Sequence, residues 1–222
     1  MSGVREIVVN TFVSLDGVMQ APGGPQEDPR DGFEYGGWIV GYWDEEASEA
    51  MRATMAPPFD LLLGRSTYEI FAAHWPYSEE PQAEALNRAT KYVVSTTLEE
   101  VGWETSVLLA NPVADSIREL KAGEGPELQV HGSSGLLQTL IAENLVDRFR
   151  VWTFPLLLGE GRRLFGSGTA PAGLELVESR SFPGGAVLAE YRTGAAIEPG
   201  SFVPDEPSEA ELERRAKLSN ID

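Results

Sequence analysis

Two segments of the chain, Leu61-Leu62-Leu63-Gly64-Arg65-Ser66-Thr67-Tyr68-Glu69 and Val130-His131-Gly132-Ser133-Ser134-Gly135-Leu136-Leu137, repeat one local pattern. In each, an apolar run of strand character ends at a glycine, and polar residues then open a helix of apolar period. A strand that leads straight into a helix cannot return as a hairpin, so the chain is committed to crossovers and a largely parallel sheet. The first backbone N–H groups of a helix have no intrahelical partner, and the helix dipole places partial positive charge there. Such a turn can hold a phosphate. Two of them, about seventy residues apart and the first carrying an arginine, suggest a dinucleotide gripped at two strand ends.

The rest of the chain fits between and around these turns. Ile7 to Val13 is β-branched and ends before Asp16-Gly17, as a first strand should. Residues 21–41 shift abruptly to Pro, Gly and acids with scattered aromatics, a loop long enough to be functional or disordered. Trp43, Ala47, Ala50, Met51 and Thr54 recur at helical spacing until Pro57-Pro58 stops them. A helix is expected over Ser66 to Ala73, strands over Tyr92 to Ser95, Val107 to Leu109 and Leu128 to His131, and helices from about Pro112 to Lys121 and from Leu136 to Asn144. A long strand is expected over Arg148 to Leu158. Leu174 to Phe182 and Ala186 to Arg192, joined by Pro183-Gly184-Gly185, read as a closing antiparallel hairpin. The expected fold class is therefore α/β, with a mainly parallel central sheet, helices on both faces and a C-terminal antiparallel hairpin. The domain ends near residue 194. Residues 195–222 read as an acidic tail, in which Ser208-Glu209-Ala210-Glu211 fits a capping pattern for a surface or interface helix, with disorder as the alternative.

Composition removes several function classes. The net charge of −18 lacks the basic footprint that nucleic acid demands, so no nucleic-acid partner is expected. An anionic cofactor is still compatible, because local arginines and backbone amides decide that. No apolar stretch approaches the roughly 20 residues of a membrane span, and Met1 to Glu6 lack the apolar core of a signal peptide, so no membrane partner and a cytoplasmic location are expected. Zero cysteines exclude disulfides and thiolate metal sites, and His74 and His131 are too few and too far apart in sequence for a histidine-rich zinc site; no metal is expected.

The order of the motifs carries a resemblance. Ser14-Leu15-Asp16-Gly17, then Leu63 to Glu69, then Val94-Ser95-Thr96-Thr97-Leu98 are similar to the dihydrofolate-reductase-like fold, a three-layer α/β architecture. Gly132-Ser133-Ser134-Gly135-Leu136, Leu145-Val146-Asp147, Pro155 to Gly161 and Leu164-Phe165 resemble one branch of it: the reductase domain of bifunctional riboflavin-biosynthesis deaminase/reductases and their stand-alone relatives. The resemblance spans about Ile7 to Arg192. It implies NADPH as cofactor, bound by Gly64 and the residues after it, with Arg65 at the adenosine 2′-phosphate, Ser66 and Thr67 at the pyrophosphate, and Ser95, Thr96 and Thr97 at the adenosine ribose-phosphate end. Gly132, Ser133, Ser134, Gly135, Leu136 and Leu137 would hold the pyrophosphate from the other side. A planar guanidinium suits the 2′-phosphate dianion, which would favour NADPH over NADH. For each serine or threonine the alternative is a plain helix cap. Asn144 and Arg148 depart from the family's usual residues around Leu-Val-Asp.

Hydride transfer asks the protein mainly to hold cofactor against substrate and to supply a proton. Dihydrofolate reductases place a carboxylic acid on the first helix for this. Here Asp44, Glu45, Glu46 and Glu49 cluster at that helix, where dipole partners are expected in any case. Asp16 is the better catalytic candidate, with an ordinary Asp-Gly turn as its alternative. Gly17, Val18, Met19 and Gln20 would form the loop beside the nicotinamide. Trp38 and Trp43, with Phe33, Tyr35 and Tyr42 beside them, could wall a pocket for a flat heterocycle. Arg162 and Arg163 in the Gly159-to-Arg163 turn could receive a substrate ribose phosphate, with a solvated surface or a helix start as the favoured alternative. His74 is expected to cap a helix end and His131 to pack.

The expectation is an NADPH-dependent reductase of a conjugated heterocycle, resembling 5-amino-6-(5-phosphoribosylamino)uracil reductase, acting on a small-molecule substrate and forming a homodimer as its relatives often do. The deaminase half has no counterpart in these residues, because its zinc site needs cysteines. One alternative is dihydrofolate reduction, disfavoured by the unmarked helix carboxylate. Another, of a different class, is a non-catalytic dimeric nucleotide-binding protein.

Overall fold

The computed structural model describes residues 4–109, 112–202 and 206–218. Eight strands form one sheet: β1 Ile7–Ser14, β2 Phe59–Gly64, β3 Lys91–Val94, β4 Ser106–Leu109, β5 Glu127–His131, β6 Arg148–Phe154, β7 Gly173–Ser181 and β8 Val187–Ala195. Their spatial order is β4-β3-β2-β5-β1-β6-β8-β7, with β1 to β6 parallel and the closing pair antiparallel. The helices are α1 Glu45–Met55, α2 Arg65–His74, α3 Ala83–Arg88, α4 Val113–Ala122, α5 Ser134–Ala142 and α6 Glu209–Leu218. No helix among the described residues is long and apolar enough to cross a membrane.

Strand alternation splits the core into two layers. Ile7, Val9 and Val13 of β1 join Leu62, Leu128, Val130 and Phe149 beneath Ile117 of α4 and Leu136, Leu137 and Leu140 of α5. On the opposite face Leu61, Leu63, Val93, Trp152 and Phe154 pack against Ala47, Met51 and Met55 of α1, Tyr68 of α2 and Leu86 of α3. The sheet is thus sandwiched between two apolar layers, with Asn10 and Gln129 as buried polar residues in its central strands.

Three expectations need correction. The strand beginning at Arg148 stops at Phe154 rather than running to Leu158: Pro155 has no N–H for the ladder, and Leu156 N–H turns back onto the Phe154 carbonyl at 2.9 Å. Helix α3 was not anticipated; six residues give too little periodicity to read. The loop over residues 21–41 is packed rather than loose. Phe33, Trp38 and Ile39 are buried, the Trp38 indole donates to the Gln20 carbonyl at 2.8 Å, and the Gln20 side-chain amide donates to the carbonyls of Asp28 and Arg30, each at 3.0 Å.

The acidic tail holds α6, and the N–H of Glu211 donates to the Ser208 hydroxyl at 3.3 Å, the reach expected of the capping pattern. Helix α6 contributes no buried residue. Residues 203–205 and 219–222 of that tail lie outside the described residues.

Candidate functional site

A parallel sheet delivers its loops and helix starts to the carboxyl ends of its strands, and an open α/β sheet binds ligands there. A cleft of about 540 Å³ lies at these ends, reaching from β1 across β5 and β2 to the start of β3's loop. Two helix N-termini face it. Helix α2 follows Gly64 and α5 follows Ser133, and neither cap residue places a side chain on its helix's free N–H groups. Donors that a buried or shielded helix start would otherwise satisfy internally are left for a ligand.

The two turns are tied to each other rather than to themselves. The Gly64 N–H donates to the Ser133 hydroxyl at 2.9 Å, and the Ser133 N–H donates to Thr67 Oγ1 at 2.9 Å. Ser133 adopts a left-handed φ of 58° to do this, and Gly132 before it has φ 59°. A side chain on Gly132 would bring a Cβ to 3.3 Å from Thr67 Oγ1, so glycine keeps both the conformation and the close approach. Ser133 and Thr67 therefore set the spacing of the two helix starts.

Arginines gather at the rim. Arg65 is half-exposed and meets Glu69 at 3.4 Å, a loose i,i+4 pair that leaves the guanidinium accessible. Arg30, from the docked loop, donates to Ser66 Oγ at 2.9 Å and makes a bidentate contact with Asp28 at 2.6 and 2.8 Å. Arg162 donates to the same Asp28 at 2.6 Å and to Asp31 at 3.0 Å. Burial pushes the Asp28 carboxyl up, but its two arginines outweigh that and hold it below the usual carboxylate range. Glu27, also on the cleft wall, is held above its usual range by burial, with the Gly23 N–H opposing at 2.6 Å.

The cleft lining includes Gly64, Arg65, Ser66, Thr67, Gly132, Ser133, Ser134, Gly135 and Leu136, with Met19, Gln20 and Arg162. Other candidates fall elsewhere. Leu137 is fully buried in the α4–α5 core layer. Ser95 Oγ accepts from the N–H groups of Thr97 and Leu98 at 3.1 and 2.9 Å, and Ser95, Thr96 and Thr97 follow Val94, the last residue of β3 to line the cleft. Trp38 and Trp43 are packing residues around Phe154, Trp43 also against Phe12 and Trp152, rather than a pocket wall.

Asp16 is likewise outside the cleft. Its carboxylate accepts from the N–H groups of Leu158 and Gly159 at 3.1 and 2.8 Å and from Ser14 Oγ at 2.5 Å. Those contacts, the Ser14 hydroxyl first, lower its pKa from 3.8 to about 2. The carboxylate clamps the Gly17-Val18 turn to the loop after β6, and Val18 is buried beneath that turn. The turn reading of Asp16 is thus the one its contacts support. Of the acids at α1, Asp44 caps the helix through the Ala47 N–H at 2.8 Å, while Glu45 and Glu46 pair with Arg52 and Arg180 at the surface.

The cleft also has lining residues that no local motif marks. Asn10, Thr11 and Phe12 of β1, Ile70 and Phe71 of α2, Thr139 of α5 and His131 line the cleft. A polar Asn10 within the apolar run Ile7 to Val13 was the available signal.

Comparison with known proteins adds the following. Residues 5–188 match the family model of the RibD C-terminal domain. The uncharacterized protein YyaP of Bacillus subtilis (strain 168) is 25% identical over 192 residues, covering 84% of this chain and 94% of that protein. A protein provisionally named for riboflavin biosynthesis, from Shewanella sp. PV-4, superposes with a TM-score of 0.63 at 22% identity, covering 86% of this chain and 99% of its own. The dihydrofolate reductase of Enterococcus faecalis, solved with NADP(H), has the same fold at a TM-score of 0.57 and 13% identity, covering 88% and 100%.

Proposed function

The chain belongs to the RibD C-terminal domain family, and from that premise we propose that it is an NADPH-dependent reductase of a conjugated nitrogen heterocycle, of the type that acts in riboflavin biosynthesis. The observation that carries the reading is the pair of uncapped helix starts, α2 and α5, stitched together by Ser133 and Thr67. Free N–H groups from both sides fit a pyrophosphate, which satisfies donors the protein leaves open. Arg65, beside the first start and only loosely paired, fits the adenosine 2′-phosphate, and its charge sets the preference for NADPH.

Bound NADPH supplies the hydride. The residues of the chain hold, orient and exclude water. Met19 and Gln20 line the same cleft as the two helix starts, and Phe12 and Phe71 add aromatic surface suited to a flat ring. A reduced ring also takes up a proton. Asp28 is spent on two arginines, so Glu27, whose carboxyl burial biases toward the protonated form, is the acid on the cleft wall suited to hold one. No α1 carboxylate lines the cleft, which favours this reading over dihydrofolate reduction.

Titration of the protein with NADPH and with NADH, read by nucleotide fluorescence and by melting temperature, tests the reading. NADPH is expected to bind more tightly, and Arg65→Ala to weaken NADPH by about ten- to a hundredfold while leaving NADH nearly unchanged. No response at millimolar NADPH would sink the proposal, and equal weakening of both nucleotides would remove Arg65 from the 2′-phosphate. A screen of aminopyrimidines and pterins by loss of NADPH absorbance then identifies the substrate.

A further inference from the structure

The start of α2 is furnished by a residue that neither glycine turn contains. Arg30, from the loop over residues 21–41, donates from Nη1 to Ser66 Oγ at 2.9 Å. Its fork is otherwise held by one carboxylate, with Nε on Asp28 Oδ1 at 2.6 Å and Nη2 on Asp28 Oδ2 at 2.8 Å. A guanidinium carries five N–H donors, so these three bonds leave one on Nη1 and one on Nη2 without a partner among the described residues. Arg30, Arg65 and Ser66 all line the cleft.

The arm that carries this guanidinium is fixed in advance. Gln20 Nε2 donates to the carbonyls of Asp28 and Arg30, each at 3.0 Å, and so pins the backbone on which both side chains stand. Arg162 donates to the same Asp28 at 2.6 Å, so two guanidiniums share one carboxylate and the positive charge is not cancelled there. Asp31, the second partner of Arg162, has a side chain 80% exposed, and water screens its charge. Ser66 Oγ takes the Arg30 N–H on a lone pair, which leaves its own proton to be donated. The α2 start thus presents backbone N–H groups, a hydroxyl proton and a guanidinium to the cleft. An array of that kind suits an anion rich in acceptor oxygens.

We infer that Arg30 is a cofactor-binding residue, a second guanidinium that meets the dinucleotide pyrophosphate at the α2 start while Arg65 reads the adenosine 2′-phosphate; this rests on the NADPH reading above. The two arginines then divide the recognition. Arg65 separates NADPH from NADH, because only NADPH carries the 2′-phosphate. Arg30 acts on the part common to both, so it raises affinity without choosing between them. Asp28 and Gln20 hold the fork before any ligand arrives, so little side-chain freedom is lost on binding.

The test titrates the full chain with NADPH, with NADH and with adenosine 2′-phosphate, by calorimetry. Arg30→Ala is expected to weaken NADPH and NADH by the same factor, about tenfold or more. Adenosine 2′-phosphate, which lacks the pyrophosphate, should bind this variant as it binds the parent protein. Arg30→Lys keeps the charge without the fork and should fall between the two. Unaltered NADH affinity in Arg30→Ala overturns the inference, and so does a loss confined to NADPH, which would put Arg30 at the 2′-phosphate. A parallel loss of adenosine 2′-phosphate binding also overturns it, because Arg30 would then act by shaping the cleft. Failure of the parent protein to bind either dinucleotide removes the NADPH reading itself, whereas normal binding that ignores Arg30 removes only this assignment.

Discussion

The Ser133 hydroxyl accepts the Gly64 N–H at 2.9 Å across two turns that lie 69 residues apart in the chain. Because the Ser133 N–H also reaches Thr67, one residue fixes the distance between the two helix starts. Ser133→Ala removes the first bond and leaves a part-buried N–H without its partner, at a cost of about 1–2 kcal/mol. Denaturant unfolding should show that loss together with weaker nucleotide binding. Ser133→Gly should cost less backbone strain, since φ 58° suits glycine, while losing the same hydroxyl contact. Wild-type nucleotide affinity in both variants would refute the role in spacing the helix starts.

Asp16 predicts an acid-side loss of stability. Its carboxyl titrates near 2 in the native state, held there by Ser14 and the Leu158 and Gly159 amides, against 3.8 for the free group. The unfolded chain therefore takes up the proton first as pH falls, and the stabilisation present above about pH 4 is lost progressively toward pH 2. Asp16→Asn should lower the melting temperature at neutral pH and flatten this limb. Should Asp16→Asn instead leave stability untouched and abolish only turnover, the carboxylate would have a catalytic part.

Gly161 sits at φ 124°, and a Cβ there would lie 2.6 Å from Val18 Cγ1 and 3.0 Å from Phe33 Cε2. Both neighbours are buried, so neither can yield freely. Gly161→Ala should destabilise the protein by about 1–3 kcal/mol through overpacking and backbone strain. The adjacent Arg162 N–H bonds Gln20 Oε1 at 3.1 Å, so the docked loop should become more susceptible to proteolysis as well. Unchanged stability would show that the turn can relax.

His131 is expected to remain neutral through the physiological range. Burial first, then the nearby Arg150, lowers its pKa from 6.5 to about 4, with Glu127 opposing. Between those values the unfolded chain binds a proton that the native imidazole refuses, so stability falls as pH drops from about 6.5 toward 4. His131→Leu should flatten that portion of the profile. An imidazole proton resonance of His131 that titrates near 6.5 would contradict the burial argument.

Much of the fold was legible from the chain because its signals are local. Apolar runs ending in glycine, capping residues and the Pro183-Gly184-Gly185 turn act within a few residues, and the strands and most helices fall where they predict. The stop at Pro155 was misread because an apolar run continues past it, and only the ladder demands the missing N–H. The part of the site formed by Gly64 to Thr67 and Gly132 to Leu136 was likewise local, since a helix start carries its own donors.

What lies across the sheet was not legible. Asp16 as a clamp, Trp38 and Trp43 as packing, and Asn10 beside His131 all depend on which strands become neighbours and in what register. By itself the sequence determined the alternation of strand and helix and the two polar helix starts, because those follow from periodicity and backbone chemistry over a few residues. Only the tertiary structure decided that one serine ties the starts together and that Asn10 and His131 become register partners on neighbouring strands, because those pairings join residues 66 to 121 positions apart through strand register and burial.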